Sequence, residues 1–117
     1  MGYERKLYIV SESSAEGWNY AEILAMIDLS KTDYDLDKLF TEDATNYIYI
    51  NDDEVTEDMY GDTIKSALPQ DVIESFEEHW ERTHYWRYKS ALDLIKSIMD
   101  YCDTRDKDSI RVYSYGY

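Results

Sequence analysis

The sequence predicts an α+β domain in which an antiparallel sheet of three to four strands packs against two helices from the C-terminal half. Apolar residues recur at three- and four-residue spacing after Pro69, which is typical of amphipathic helices. Residues near both ends of the chain alternate, which is typical of β-strands. Strands at the two ends with paired helices late in the chain favour a sheet covered by helices. The 117 residues match the size of one domain, so we expect a single domain over residues 1–117.

Three segments have the pattern of strands. Residues 3–10 alternate and place Leu7 and Ile9 on one face. Residues 46–51 contain a Tyr-Ile-Tyr-Ile run, and aromatic and β-branched residues are enriched in strands. Residues 110–117 alternate as a final strand. Its two opposed faces are Ile110, Val112, Ser114 and Gly116 on one side and Arg111, Tyr113, Tyr115 and Tyr117 on the other.

Residues 18–29 fit two patterns. At helical spacing they form an apolar stripe of Tyr20, Ile23, Leu24 and Ile27. At a period of two they form one face of Ile23, Ala25, Ile27 and Leu29. We favour a second strand that forms a hairpin with the first across the Ser-Ala-Glu-Gly loop, and a helix stays open as the alternative.

Two helices are expected in the second half of the chain. Pro69 suits the first position of a helix, and the spacing of the residues after it predicts a helix over residues 69–82. Its apolar stripe is Val72, Ile73, Phe76 and Trp80. A second stripe predicts the next helix, and it consists of Tyr88, Ala91, Leu92, Ile95, Ile98, Met99 and Cys102. Residues 30–43 are expected to be a loop with a short helical turn, and residues 52–62 an acidic loop in which Gly61 can take a positive φ.

The charge of the chain is concentrated in one stretch. Residues 28–81 hold 17 of the 26 acidic residues and three lysines, which equals the whole formal net charge of −14. Such segregation indicates either a partner or a need for solubility. A chain this acidic repels phosphates, so we expect it to bind neither bare nucleic acid nor anionic lipid.

No catalytic motif is present, so we expect neither an enzyme nor a bound cofactor or metal ion. The series Asp33, Asp35 and Asp37 resembles the start of an EF-hand loop, but Lys38 and Ala44 stand where that loop needs Gly and Glu. The histidines, His79 and His84, match no zinc motif. The carboxylates of residues 51–62 leave a metal-dependent enzyme as a lesser hypothesis. The single Cys102 fits a reducing compartment, and no apolar run is long enough to span a membrane, so we expect a cytoplasmic protein.

Two groups of acidic residues are the candidate partner-binding residues. The first group is in the acidic loop and consists of Asp52, Asp53, Glu54, Glu57 and Asp58. The second is a line on the first helix and consists of Glu74, Glu77, Glu78 and Glu81. Neighbouring carboxylates at helical spacing lie about 5–6 Å apart and loosely imitate the phosphates of a nucleic-acid strand. The alternative interpretation is an ordinary solvated face.

Residues 79–89 interleave aromatic and basic side chains. This composition is typical of a protein-binding hot spot, and it makes Arg82, Tyr85, Trp86 and Arg87 a secondary set of candidate partner-binding residues. The alternative is a joint between two helices that is packed by its aromatic residues.

Several short segments carry a resemblance to small proteins encoded by bacteriophages and prophages, most of them without an assigned function. These segments are Lys-Leu-Tyr-Ile-Val at 6–10, Tyr-Ala-Glu-Ile-Leu-Ala-Met-Ile-Asp-Leu at 20–29, Tyr-Gly-Asp at 60–62 and Tyr-Ser-Tyr-Gly-Tyr at 113–117. The resemblance implies a phage accessory protein, a class that includes anti-restriction and anti-CRISPR inhibitors.

Charge and resemblance together predict an inhibitor that occupies the basic surface of a host defence protein, either a CRISPR effector or a restriction enzyme, by nucleic-acid mimicry. It would act in the cytoplasm of the bacterial host. The alternative is a small structural protein that forms a homodimer. In that case the first or last strand would pair edge to edge, with Tyr113, Tyr115 and Tyr117 near the interface.

Overall fold

The computed structural model describes residues 4–12, 20–29, 38–102 and 108–117, and within these ranges the chain is an α+β protein. Its elements in chain order are β1 (Arg5–Glu12), β2 (Ala21–Asp28), β3 (Glu42–Asp43), β4 (Ile48–Ile50), β5 (Asp53–Val55), β6 (Lys65–Ala67), α1 (Pro69–Thr83), α2 (Trp86–Tyr101) and β7 (Ile110–Gly116). Neither helix is long and apolar enough to cross a membrane.

Five of the described strands form one sheet in the order β2-β1-β7-β6-β3, and all neighbours in it are antiparallel. The expected three to four strands were therefore too few. The strands missed from the sheet are β3 and β6, which have two and three residues. A strand that short has no measurable alternation, because its extended shape depends on pairing with a distant neighbour.

The central strands β1 and β7 divide the core into two clusters. Leu7 and Ile9 belong to the cluster that contains the apolar stripes of the helices. Tyr8 and Val10 belong to a second cluster, on the opposite face of the sheet. The predicted alternation of the last strand is confirmed, since Val112 lies in the first cluster and Tyr113 in the second.

Residues 21–28 are a strand paired antiparallel with β1, so the predicted pairing is confirmed and the helical alternative is wrong for these residues; the Ser-Ala-Glu-Gly loop expected to join the two strands lies outside the described residues. The expected single face is also wrong, because the pairing shifts between Ile9 and Val10. Ile9 lies opposite Ala25 whereas Val10 lies opposite Ile23, which leaves Leu24 as an extra residue in a β-bulge. The bulge turns Ile23 toward the second cluster, while Ala25 stays with the first.

The two helices cover one face of the sheet. Pro69 starts α1, which ends at Thr83 and is capped by His84, a residue in the left-handed conformation with φ 53°. Both predicted stripes pack in the first cluster, but Trp80 of α1 and Ile98, Met99 and Cys102 of the second stripe are only partly buried. His79, which the predicted stripe of α1 did not include, is buried. Phe76 and Ile95 are completely buried, and each such side chain stabilises the fold by about 1.5–3 kcal/mol.

The opposite face of the sheet is covered by a hairpin of β4 and β5, which the sequence did not predict as a pair. Ile48 is completely buried against the second cluster, and Ile50 and Val55 pack beside it. Part of the segment expected to be an acidic loop is therefore β5. The expected helical turn near residues 36–40 lies partly outside the described residues, but within them Phe40 is buried in the first cluster.

Candidate binding surfaces

The layer that carries the hairpin is acidic throughout. Residues 42–62 contain eight carboxylates and no lysine, arginine or histidine. Seven of these carboxylate residues are exposed. Six of them form what we call the hairpin surface: Glu42, Asp52, Asp53, Glu54, Glu57 and Asp62. The seventh, Asp43, lies on the helix side of the sheet, because it is opposite Lys65, and Lys65 is opposite Ser114 on the face of Leu7; Asp43 and Lys65 form an ion pair. Glu42 belongs to the hairpin surface through the pairing of β3 with β6, so sequence reasoning missed it.

The tip of the hairpin is a tight turn. Ile50 pairs with Asp53, so only Asn51 and Asp52 form the loop. Both have a positive φ, 52° and 68°, as a type I′ turn requires. Asn and Asp tolerate this conformation better than most residues, which explains why the chain turns here. The turn places the Asp52 carboxylate at the exposed tip of the hairpin surface.

Asp58, the remaining acidic residue of the first predicted group, has a structural role. Its Oδ1 accepts hydrogen bonds from the backbone N–H of Tyr60 at 2.9 Å and of Asp62 at 3.0 Å. Gly61 lies in this turn with φ 83°, as the sequence predicted. Asp58 is half-buried and holds the turn, so less of its carboxylate is presented to a partner than in its exposed neighbours.

Exposed aromatic and apolar side chains accompany the acids of the hairpin surface. Met59 is 72% exposed, and Tyr49 and Tyr60 are also exposed. The Tyr60 hydroxyl donates to the carbonyl oxygen of Tyr117 at 2.6 Å, which anchors this loop to the end of the chain. Tyr and Met are enriched in protein interfaces, so this mixture fits a protein partner.

The second predicted group, on α1, lies on the other side of the sheet. Because α1 packs in the first cluster and the hairpin in the second, the sheet separates the two acidic groups. Glu77 forms an ion pair with Lys96 of α2, in which Nζ of Lys96 lies 2.8 Å from Oε1 of Glu77. The hydrogen bond between these atoms raises the pKa of Lys96. Glu74, Glu78 and Glu81 are exposed. The nine predicted residues therefore lie on two separate surfaces. The negative charge of the line on α1 is partly neutralised by Lys96.

The secondary candidates lie at the corner between α1 and α2. Tyr88 packs edge-on against Phe76 with ring centroids 5.4 Å apart, and Tyr85 packs against Tyr88 at 5.8 Å. The aromatic rings thus join the helices, as the alternative interpretation of residues 79–89 proposed. Trp86 is 60% exposed, and Tyr85 and Arg82 are also exposed on the outside of the corner.

Arg87 is fixed by contacts within the protein. Its Nη1 donates to the carbonyl oxygen of Asp28 at 2.7 Å, which ties α2 to the end of β2. Its guanidinium also stacks over the Trp86 ring at 4.7 Å. These contacts orient the exposed Trp86.

Tyrosine hydroxyls hold the last strand in place. The Tyr113 hydroxyl donates to Glu12 at 2.7 Å, and the Tyr117 hydroxyl donates to Asp28 at 2.7 Å. Burial raises the pKa of Tyr113, and its hydrogen bond to Glu12 raises it further. The hydrogen bond to Asp28 raises the pKa of Tyr117 to about 12. Tyr113 and Tyr117 therefore have a structural role, because their hydrogen bonds attach the last strand to β1 and β2.

The position of the last strand also corrects the expected dimer. Both β1 and β7 are interior strands of the sheet, so neither can pair edge to edge with a second copy. In the described part of the sheet the edges are β2 and β3.

Metal-ligating residues do not converge in the described ranges, where no group of three His, Cys, Asp or Glu side chains is placed to hold an ion. The EF-hand-like series Asp33, Asp35 and Asp37 lies outside the described residues.

Comparison of the chain with protein-family models, with curated proteins and with solved structures gave no match.

Proposed function

We propose that this chain is a non-catalytic binding protein that uses the hairpin surface to occupy the basic, nucleic-acid-binding surface of another protein. The observation that carries the proposal is the run of residues 42–62, in which eight acids occur without one basic side chain and six of them form the exposed hairpin surface. Solubility alone is served by a surface of mixed sign, so the segregation supports a cationic partner.

The mechanism is steric and electrostatic. Carboxylates compete with phosphates for the arginines and lysines of a binding channel, and the protein remains bound without turnover. The α1 line is the second candidate for this contact. The hairpin surface is favoured because Lys96 offsets part of the charge on α1, and because exposed Tyr49, Met59 and Tyr60 add contact area beside the hairpin acids.

The resemblance to phage accessory proteins supports a target among host defence enzymes. CRISPR effectors and restriction enzymes both bind nucleic acid in positively charged channels. An inhibitor of either would act inside the bacterial cell.

Capture from a bacterial lysate tests the proposal. The tagged chain is incubated with lysate at low salt, and bound proteins are eluted first with competing duplex DNA and then with high salt. We expect a nucleic-acid-binding protein that DNA displaces, because the DNA and the chain compete for one surface. Recovery only of proteins that DNA does not displace would contradict the proposal.

Two matched variants identify the surface. Asp53→Lys with Glu54→Lys reverses two exposed charges on the hairpin, and Glu74→Lys with Glu78→Lys reverses two on α1. We expect the hairpin variant to slow association with the captured target and to reduce its salt dependence, while the α1 variant keeps most of the affinity. The opposite result would assign the contact to α1.

A further inference from the structure

Within the described residues, β2 is an edge strand of the sheet. β1 pairs with one side of β2, and on its other side Ala21 donates its N–H to Tyr47 at 2.8 Å. Beyond that bond, no described strand pairs with residues 22–28 on this side. Backbone N–H and C=O groups on such an edge are a template for another strand.

The composition of this edge does not discourage pairing. The strand reads Ala-Glu-Ile-Leu-Ala-Met-Ile-Asp and lacks the lysine, arginine or proline that commonly protects an edge. Leu24 is 41% exposed and Met26 is 49% exposed. Met26 lies opposite Tyr8 and therefore on the hairpin side of the sheet, whereas Leu24 lies on the helix side. Apolar surface is thus open on both faces of the same strand.

A groove continues this apolar edge on the helix side. Leu24 forms it together with Ser97, Ile98, Tyr101 and Cys102 of the C-terminal part of α2, and its volume is about 290 Å³. Tyr101 is 91% exposed at the groove.

The bulge makes β2 complementary to an antiparallel copy of itself. Opposed residues of an antiparallel pair point to the same face. Ile23 and Met26 share the hairpin side, and Leu24 and Ala25 share the helix side. If a two-fold axis passes between Leu24 and Ala25, each residue of one strand therefore lies opposite a residue of the second copy that points to the same face. Leu24 lies opposite Ala25, and Ile23 lies opposite Met26.

This register also separates the charges of the edge. It places Glu22 opposite Ile27 and Asp28 opposite Ala21 of the second copy, so no two acids are directly opposed, and Glu22 and Asp28 lie on different faces of the sheet. The other described edge of the sheet, β3, consists of two exposed acids and offers no such match. A contact between two β2 strands closes after two copies, as a two-fold dimer requires.

We infer that two copies of this chain associate through antiparallel pairing of residues 22–27 of β2, which joins their sheets and brings the two grooves of Leu24 and α2 together. This dimer does not use the hairpin surface. Its dependence on salt is opposite in sign to that of binding to a basic target. Two chains of formal net charge −14 repel each other, so salt strengthens the dimer, whereas it weakens binding to a basic target.

Sedimentation equilibrium tests the inference with the full chain over a range of concentrations in 0.1 M and 0.5 M NaCl. We expect the mass to rise from 14.0 kDa toward twice that value, and at lower concentration in the higher salt. A mass that stays at the monomer value up to about 1 mM chain in both buffers would overturn the inference, because a Kd of 1 mM is already weak for a specific contact.

Two methionines provide a matched pair of variants. Met26→Lys places a charge on the β2 edge, and Met59→Lys makes the same change on the hairpin layer; both side chains are exposed, so both variants should fold. We expect Met26→Lys to weaken the dimer about tenfold or more and Met59→Lys to leave it unchanged. Equal effects of the two variants would refute pairing through β2.

Cys102 gives an independent measurement because it is the single cysteine of the chain and lies in the groove. We expect its alkylation by iodoacetamide to slow several-fold as the protein concentration rises through the dimer range, and to remain constant in Met26→Lys. A rate independent of concentration in a sample that sediments as a dimer would place the interface elsewhere. Asp53→Lys with Glu54→Lys leaves this dimer intact, so failure of the dimer and failure of target binding are distinguishable.

Discussion

At the scale of single residues, tyrosines decide how the C-terminal strand is held. Tyr113 is completely buried in the cluster that faces the hairpin, yet its hydroxyl reaches Glu12 at the end of β1. A buried hydroxyl that donates to a carboxylate satisfies its own polar group and orders the acceptor. Among the tyrosines that the structure describes, Tyr113 is the one with no exposed surface, so it suits a measurement of what such bonds contribute.

Tyr113→Phe should destabilise the fold by about 1–2 kcal/mol at pH 7, because it removes a hydrogen bond to a charged acceptor but keeps the ring. Urea unfolding measures the change. Tyr101→Phe is the control, since the Tyr101 side chain is almost fully exposed, and it should leave the urea midpoint unchanged.

The same variant makes a prediction about alkaline pH. Burial raises the pKa of Tyr113 above the ordinary value of 10. A group whose pKa is raised on folding contributes stability that is complete below its unfolded pKa and is lost as pH rises above it. The wild-type protein should therefore lose stability above about pH 10, and Tyr113→Phe should lose less of it. Equal slopes of stability against pH for the two proteins would show that Tyr113 does not titrate with unfolding.

At the scale of elements, the β4–β5 hairpin depends on its turn. Asn51 and Asp52 both have positive φ, which Gly adopts without the steric cost that a side chain brings. Asp52→Gly should raise stability by about 0.5 kcal/mol, measured as a higher urea midpoint.

Asp53→Gly is the matched control, since it removes the same charge from the adjacent residue. Asp53 is in β5, where Gly only adds freedom to the unfolded chain, so this variant should lower stability by about 0.5–1 kcal/mol. An equal gain in both variants would attribute the effect to charge and would leave the turn without a role.

The elements with a local sequence pattern could be predicted from the sequence, and those that depend on distant contacts could not. The stripes of α1 and α2 and the alternation of β7 are local patterns, and each element formed where its pattern lies. The bulge at Leu24 is not local, because it exists only against β1 and changes which face Ile23 occupies. Prediction of the candidate site had the same limit. The acidic residues could be identified from the sequence, but their division into two surfaces by the sheet depends on contacts between distant segments.

At the scale of the whole molecule, the fold is a sheet between a helical layer and an acidic hairpin layer. Lys96 and Lys89 pair with acids in the helical layer, at Glu77 and Asp93. The hairpin segment, residues 44–62, contains six carboxylates and no lysine, arginine or histidine. The described layers on the two sides of the sheet therefore differ in charge, and in the proposed complex this difference would orient the molecule toward its basic partner before contact.

The same charge opposes folding at low ionic strength. The described chain measures 44 × 36 × 23 Å, and the Debye length is about 30 Å at 0.01 M salt but about 3 Å at 1 M. At 0.01 M most acidic residues of the molecule repel one another, whereas at 1 M only near neighbours interact. The melting temperature should therefore rise as NaCl increases over this range.

The hairpin variant Asp53→Lys with Glu54→Lys tests whether this dependence comes from the acidic layer. It changes the formal net charge from −14 to −10, and both changes fall among like charges. Its melting temperature should be higher than that of the wild type at 0.01 M NaCl, because repulsion within the layer is relieved, and should converge on the wild-type value at 1 M. A difference between the two proteins that persists at 1 M would mean that the substitutions act through the β4–β5 pairing and that repulsion in the layer is small.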